Sequence, residues 1–246
     1  MTNTTTAVVG ATGGAGTTRM VVEAATMLAR DGRAVAVIDA AYGTQGLADY
    51  VAGDVDPDVT ALCTDAVDAP LDAGLVDPGW TESGRIALCP ARAPFERLAR
   101  AKTVDAARRF EDRIEEAATR FDHVLVDTPP VAANQAVAAV TACERVVVVA
   151  PASTRGDDAA QRTADRLVDL GVTPDAVVAT RGTIARADVG VPEFEARSVA
   201  DAPLSAGGSS RDGAIAEAAA ALVDDDLSSV GDERGLIDGV GDYLGT

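Results

Sequence analysis

Between the apolar pair Val8-Val9 and the start of a helical pattern stands Gly10-Ala11-Thr12-Gly13-Gly14-Ala15-Gly16-Thr17-Thr18-Arg19, a stretch whose glycines and hydroxyls could hold a phosphate. Glycines let successive backbone N–H groups converge on an anion, and the N-terminus of the following helix adds partial positive charge. A complete loop of the G-x-x-x-x-G-K-[ST] kind places a lysine directly after its last glycine, where it neutralises the β- and γ-phosphates during transfer. Thr17 occupies that position here. The chemistry to expect is therefore anion holding, with Gly13, Gly14, Ala15, Gly16, Thr17, Thr18 and Arg19 as the candidate contacts, rather than ordinary phosphoryl transfer.

Other polar residues close apolar runs in the same way. Asp39 ends one, Asp127-Thr128-Pro129-Pro130 another and Ala150-Pro151-Ala152-Ser153 a third. In open parallel sheets ligands bind at the carboxyl ends of strands, so these residues are expected near one another and near the glycine loop. An aspartate at a strand end beside a phosphate loop orients Mg²⁺ or its waters, which makes Asp127 the leading candidate for that role.

The elements that must position these groups follow from hydrophobic periodicity. Thr6 to Gly10 reads as a strand, Thr17 to Arg30 as a helix and Ala34 to Asp39 as a second strand after the Asp31-Gly32 stop. Short helical pieces are expected at Gly46 to Val51 and Val59 to Val67, a loop through Pro78 to Trp80, and strands at Ile86 to Cys89, Val124 to Asp127, Val146 to Ala150 and Ala176 to Thr180. A long helix carries Ala107, Phe110, Ile114, Ala117 and Phe121 on one face and a solvated charge cluster including Arg108, Asp112 and Glu115 on the other. Ser153 to Leu170 and Asp212 to Val223 read as helices, with an edge element near Ala196 to Val199. Strands alternating with helices imply an α/β fold: one doubly wound, mostly parallel sheet flanked by helices, over residues 1–223, with an acidic, glycine-containing tail over 224–246.

Composition bounds the setting. The 246 residues are 47% hydrophobic, enough for one substantial core. The net charge is −18, from 39 acidic against 21 basic residues, and Lys102 is the only lysine. Such a balance resembles that of proteins from extreme halophiles, where a hydrated acidic surface preserves solubility in molar salt. It argues against general nucleic-acid binding, since no basic stripe exists. Cys63, Cys89 and Cys143 are widely spaced and accompanied by one histidine, His123, a pattern of buried small hydrophobes in a reducing cytoplasm rather than of zinc ligands or disulfides. No apolar run reaches the roughly 18 residues of a spanning helix. A soluble cytoplasmic protein is expected.

Several ordered stretches together resemble the MinD/ParA family of deviant-Walker P-loop ATPases, over roughly residues 5–223. Phe121-Asp122-His123-Val124-Leu125-Val126-Asp127-Thr128-Pro129-Pro130 resembles the family's strand and switch II, Ala142 to Pro151 the following strand, and Leu88-Cys89-Pro90-Ala91 an earlier strand ending in Pro-Ala. The resemblance implies ATP or ADP with Mg²⁺, dimerisation across the nucleotide, and a role in positioning cellular assemblies with a stimulating protein partner. Thr18 would keep the hydroxyl on Mg²⁺, with Asp39 and Asp127 as its acidic neighbours, and Thr180 with Arg181 would stand where the family has its adenine-side asparagine. The departures fall on charged positions. The signature lysine that reaches the partner subunit is Thr12, the loop lysine is Thr17, and the family's Asp-x-Asp is Asp39-Ala40-Ala41. Charge clamps of this kind contribute on the order of 10³ to 10⁵ in rate, roughly 4 to 7 kcal/mol. The resemblance therefore implies a weak or inactive ATPase unless Arg19, Arg155 or Arg181 compensates. It also implies a homodimer or a heterodimer with an intact relative, though loss of the signature lysine weakens ATP-gated pairing. The carboxyl-terminal Leu236 to Leu244 is acidic and broken by glycine, unlike the basic amphipathic helix of membrane-attached members, so no membrane targeting is expected.

Two other readings stand beside this one. Gly10 to Gly16 also resembles the Gly-Ala-Thr-Gly-x-x-Gly loop of atypical short-chain dehydrogenases, with Asp39 about 20 residues on as a ribose acid, which would make NAD(P) the cofactor. The reductase Tyr-x-x-x-Lys pair is absent, since no tyrosine lies four residues before Lys102. Alternatively the glycines form an ordinary tight turn, and the chain is an interaction scaffold that binds no nucleotide.

Overall fold

The computed structural model describes residues 3–194, 198–207, 212–225 and 227. The apolar runs become the strands β1 (Thr4–Gly10), β2 (Ala34–Asp39), β3 (Arg85–Cys89), β4 (His123–Thr128), β5 (Arg145–Pro151), β6 (Ala176–Thr180) and β7 (Val189–Val191). They form one sheet in the order β3-β2-β4-β1-β5-β6-β7, with every pairing parallel. Parallel neighbours need crossovers, here built around the helices α1 (Thr17–Arg30), α2 (Val59–Thr64), α3 (Phe95–Ala101), α4 (Val104–Ala118), α5 (Asn134–Ala142) and α6 (Thr154–Asp169), while α7 (Asp212–Val223) follows the last strand.

Alternation along each strand divides the core in two. Val35, Val37, Leu125 and Val147 face Met20, Leu28, Ile215 and Leu222 of α1 and α7. Their neighbours Ile38, Val124, Val126 and Val148 face Phe110, Ile114 and Ala139 of α4 and α5. Burial on both faces is why the strands read as continuous apolar runs. Cys63 and Cys89 lie buried within the second of these layers and Cys143 is half-buried, all three with free thiols.

The strand order matters most for the site. In dinucleotide-binding folds of order 3-2-1-4-5-6 the first two strands are adjacent, whereas here β4 is inserted between β1 and β2. This topology is not that of the dehydrogenase reading. It places the end of β4 directly between the glycine loop and the end of β2, with Asp39 opposite Asp127 in register.

Some expectations are corrected. The long helix ends at Ala118, and Phe121 is buried in the turn beyond it, with the Arg85 guanidinium 4.8 Å from its ring centre. A separate short helix, α3, precedes it, and α5 follows the Asp127-Thr128-Pro129-Pro130 turn, neither of which the periodicity resolved. The edge strand is β7 rather than an element near Ala196 to Val199: residues 195–197 lie outside the described residues and Val199–Asp201 is a 3-10 turn. β7 is short, buries Val189 and Val191, and is centred on Gly190, where a Cβ would stand 2.9 Å from the Gly182 carbonyl oxygen. Of the expected tail, only residues 224, 225 and 227 are described. No helix among the described residues is long and apolar enough to cross a membrane.

Candidate functional site

β1 delivers the chain into the glycine loop, and α1 carries it away. Gly14 (φ 73°) and Gly16 (φ 88°) adopt the left-handed conformation that L side chains disfavour, and Gly16 leads into α1 with no side chain capping the helix. The first N–H groups of a helix have no intrahelical acceptor, so this end of α1 presents uncommitted donors. The loop carbonyls are turned the other way. Thr180 Oγ1 donates to the Ala15 oxygen at 2.6 Å, and Arg181 Nη2 donates to the Gly14 oxygen at 2.7 Å. A Cβ at Gly13 or Gly14 would meet nothing within 4 Å, so the outer side of the loop is open. Thr17 Oγ1 packs against the strand end, 2.7 Å from where a Cβ on Gly10 would stand.

Beneath the loop two carboxylates meet. Thr18 Oγ1 donates to Asp127 Oδ2 at 2.6 Å. Asp39 accepts from the Ala41 N–H at 2.7 Å and the Ala91 N–H at 3.2 Å. Both side chains are buried. Burial, then the charge of Asp127, pushes Asp39 up to about 8 against the opposing pull of its two backbone donors. Burial raises Asp127 to about 6, although the Thr18 hydroxyl holds it down. Two buried carboxylates on adjoining strand ends disfavour double ionisation, and a cation beside them would relieve that repulsion. No cluster of three or more His, Cys, Asp or Glu built to hold a metal occurs among the described residues, so a cation here would draw on Thr18, water and ligand oxygens as well, which suits Mg²⁺. Burial also removes Asp39 from the ribose-binding role of the dehydrogenase reading.

Two clefts join above these groups. One, of about 350 Å³, runs over the loop between Thr12, Thr44, Asp49, Asp127 and Pro130. The other, of about 430 Å³, is walled by Thr180, Arg181, Pro192, Glu193 and Phe194, and the two share Gly16, Arg19 and Tyr50. Arg19 stands at the junction. Its Nε is 2.6 Å from Glu23 Oε1, its guanidinium lies 5.2 Å from the centre of the Phe194 ring, and its Nη2 is buried with no hydrogen-bond partner. Glu23, fully buried in α1, accepts in addition from the Leu204 and Ser205 N–H groups and the Ser205 hydroxyl, which ties the first turns of α1 to the 198–207 segment.

The structure thus brings Gly13 to Arg19, Asp39, Asp127, Thr180 and Arg181 together. Arg155 is exposed on α6 and lines neither cleft. Thr180 and Arg181 have a second task that their sequence position does not announce, fixing the loop from the side, and Arg181 does so from a left-handed backbone (φ 65°). Glu23, Tyr50, Glu193 and Phe194 escape sequence reasoning because they reach the site from a helix interior, a 3-10 turn and an irregular segment. The one available signal was an acidic residue inside an otherwise apolar helix at Glu23.

No protein-family model matches the chain, and no curated protein sequence matches it. Solved structures do. The septum site-determining protein MinD of Pyrococcus horikoshii, complexed with Mg-ADP, superposes with a TM-score of 0.66 over 98% of this chain and 100% of its own, at 16% identity. MinD in the MinC:MinD complex of Aquifex aeolicus matches with a TM-score of 0.60 at 20% identity, over 73% of this chain and 69% of that one. Cobyrinic acid a,c-diamide synthase of Mycobacterium smegmatis, with bound ADP and magnesium, matches with a TM-score of 0.58 at 22% identity, over 72% and 74%. The superposition on the Pyrococcus horikoshii protein covers nearly the whole of both chains: the fold of this chain is that of the MinD/ParA-type P-loop ATPases.

Proposed function

We propose that this chain is a nucleotide-binding regulator or scaffold built on the P-loop ATPase fold, one that takes up ATP or ADP with Mg²⁺ and hydrolyses ATP weakly or not at all. A single observation carries the reading: left-handed Gly14 and Gly16 open α1 beside the Thr18–Asp127 contact, while neither Thr12 nor Thr17 supplies a cation to the loop. Gly13 to Arg19 would hold phosphates through backbone N–H groups, and Thr18, Asp127 and Asp39 would hold the metal. Mg²⁺, when bound, neutralises phosphate charge and the repulsion between the two carboxylates. Thr180 and Arg181 keep the loop carbonyls turned away from the anion. The similar structures with Mg-ADP support the ligand class, and the MinC:MinD complex supports a protein partner. Beside that unidentified protein partner, the chain would pair with a second copy of itself or with a lysine-bearing relative, acting in cellular positioning or partitioning.

Calorimetric titration of ATP, ADP and NAD in molar KCl with Mg²⁺, paired with a phosphate-release assay, tests this reading. Saturable adenine-nucleotide binding with turnover at least about 10³-fold below that of a lysine-bearing relative is expected, since charge clamps of this class contribute that much. Turnover at the relative's level refutes the degenerate ATPase. A preference for NAD, or no binding, refutes the nucleotide reading itself.

A further inference from the structure

We infer that the anion selected by this site is a nucleoside diphosphate rather than a triphosphate when no metal is bound, because the two side-chain cations that line the site, Arg19 and Arg181, gather around Gly16 and no lysine stands beside Thr18 and Asp127. The inference rests on the nucleotide reading above and specifies which phosphate chain that site takes.

The charges divide between the two joined clefts. The charged residues lining the cleft over the loop are Arg19, Asp49 and Asp127, with Asp39 buried behind Asp127. Those lining the adjoining cleft are Arg19, Arg181 and Glu193. Formal charge is therefore one positive against two negative on the first wall, and two positive against one negative on the second.

The arginines are placed to be used. Arg181 Nη2, already bonded to the Gly14 oxygen, lies 3.8 Å from where a Cβ on Gly16 would stand, and a guanidinium carries five donors, so one bond leaves capacity facing the cleft. Arg19 lines both clefts and keeps its charge at their junction. Its orientation is fixed by Glu23 on one side and Phe194 on the other.

The other end of the loop has no such provision. In complete loops the lysine reaches the β- and γ-phosphates, and Thr17 instead packs against Gly10. The only lysine, Lys102, is exposed beyond α3 and lines neither cleft. In the absence of metal, a third phosphoryl group would add a negative charge toward Asp127 with no side-chain cation to meet it. Molar salt shortens the Debye length to about 3 Å but screens buried carboxylates poorly, so the discrimination persists in the high-salt setting.

Calorimetric titration of ADP and ATP against the full chain, in molar KCl with a chelator and again with Mg²⁺, tests the inference. ADP is expected to bind about tenfold more tightly than ATP without metal, the size of one unfavourable charge contact at an effective dielectric near 20 attenuated by exposure. Arg181→Gln should weaken ADP binding about tenfold, with its melting temperature reported alongside to show that it folds. Thr17→Lys, which restores a cation to the deficient end, should raise ATP affinity and erase or reverse the preference. ATP binding as tight as ADP in the unaltered chain overturns this inference and leaves the nucleotide reading standing. So does a folded Arg181→Gln variant that binds ADP unchanged. If neither nucleotide binds, the nucleotide reading falls too.

Discussion

Replacing Asp39 by Asn removes one charge from a buried like-charged pair, and its effect on stability is set by geometry already described. Asp39 and Asp127 end adjoining strands in register, and both carboxyl groups are raised above their ordinary range. A raised carboxyl binds its proton more readily in the folded than in the unfolded chain, so stability is fully present below the unfolded pKa near 3.8 and falls as pH rises through about 6 and then about 8. Adjoining strands stand about 4.8 Å apart, and two unit charges at about 5 Å repel by about 3 kcal/mol at an effective dielectric near 20. Asn keeps one oxygen to accept from the Ala41 N–H but presents an amide to the other donor, which costs about 1 kcal/mol. In chelator, Asp39→Asn should therefore be more stable than the unaltered chain by about 2 kcal/mol above about pH 8, and within about 1 kcal/mol of it near pH 5. Urea unfolding of both proteins across that range, followed by circular dichroism, measures the difference. Added Mg²⁺ should stabilise the unaltered chain more than the variant. Parallel stability curves, or a variant less stable at alkaline pH, would refute the argument that ionising Asp39, buried and beside Asp127, costs the fold stability.

Glu23→Ala should destabilise the fold by about 3 kcal/mol in denaturant titrations, because it strands the Leu204 and Ser205 N–H groups and the Arg19 guanidinium around a buried site; a cost below about 1 kcal/mol would show that the 198–207 segment is held by other contacts. At Arg181, whose φ of 65° favours glycine, Arg181→Gly should leave the denaturation midpoint nearer to that of the unaltered chain than Arg181→Val does, by about 1–2 kcal/mol. Equal losses in the two variants would contradict a left-handed backbone there.

Much of the architecture is written locally. α1, β2, β6 and α7 have the same ends in the sequence reading and in the structure. Each is bounded by a signal that acts over a few residues: Gly16 before α1, the Asp31-Gly32 stop before β2, the left-handed Arg181-Gly182 pair after β6, and left-handed Asp224 after α7. α3 and α5 escaped because they are short, and α5 is rich in small residues that give little amphipathic contrast. β7 escaped because it is three residues long and offers only Val189 and Val191, either side of a glycine, as an apolar signal.

The same division holds for the site. Residue types alone determined that a glycine loop opens the chain, that its lysine is missing, and that aspartates close two apolar strands, since all three depend on local covalent order. Tertiary structure decided everything that depends on who stands next to whom. The insertion of β4 between β1 and β2 set Asp39 against Asp127, excluded the dinucleotide topology, and put Thr18 within 2.6 Å of a carboxylate. It also turned Thr180 and Arg181 into braces for the loop and left Arg19 pointing one buried nitrogen at no partner. Strand order and the sharing of charge between distant residues are set by packing the whole sheet between its helices, and no spacing within a single segment encodes them.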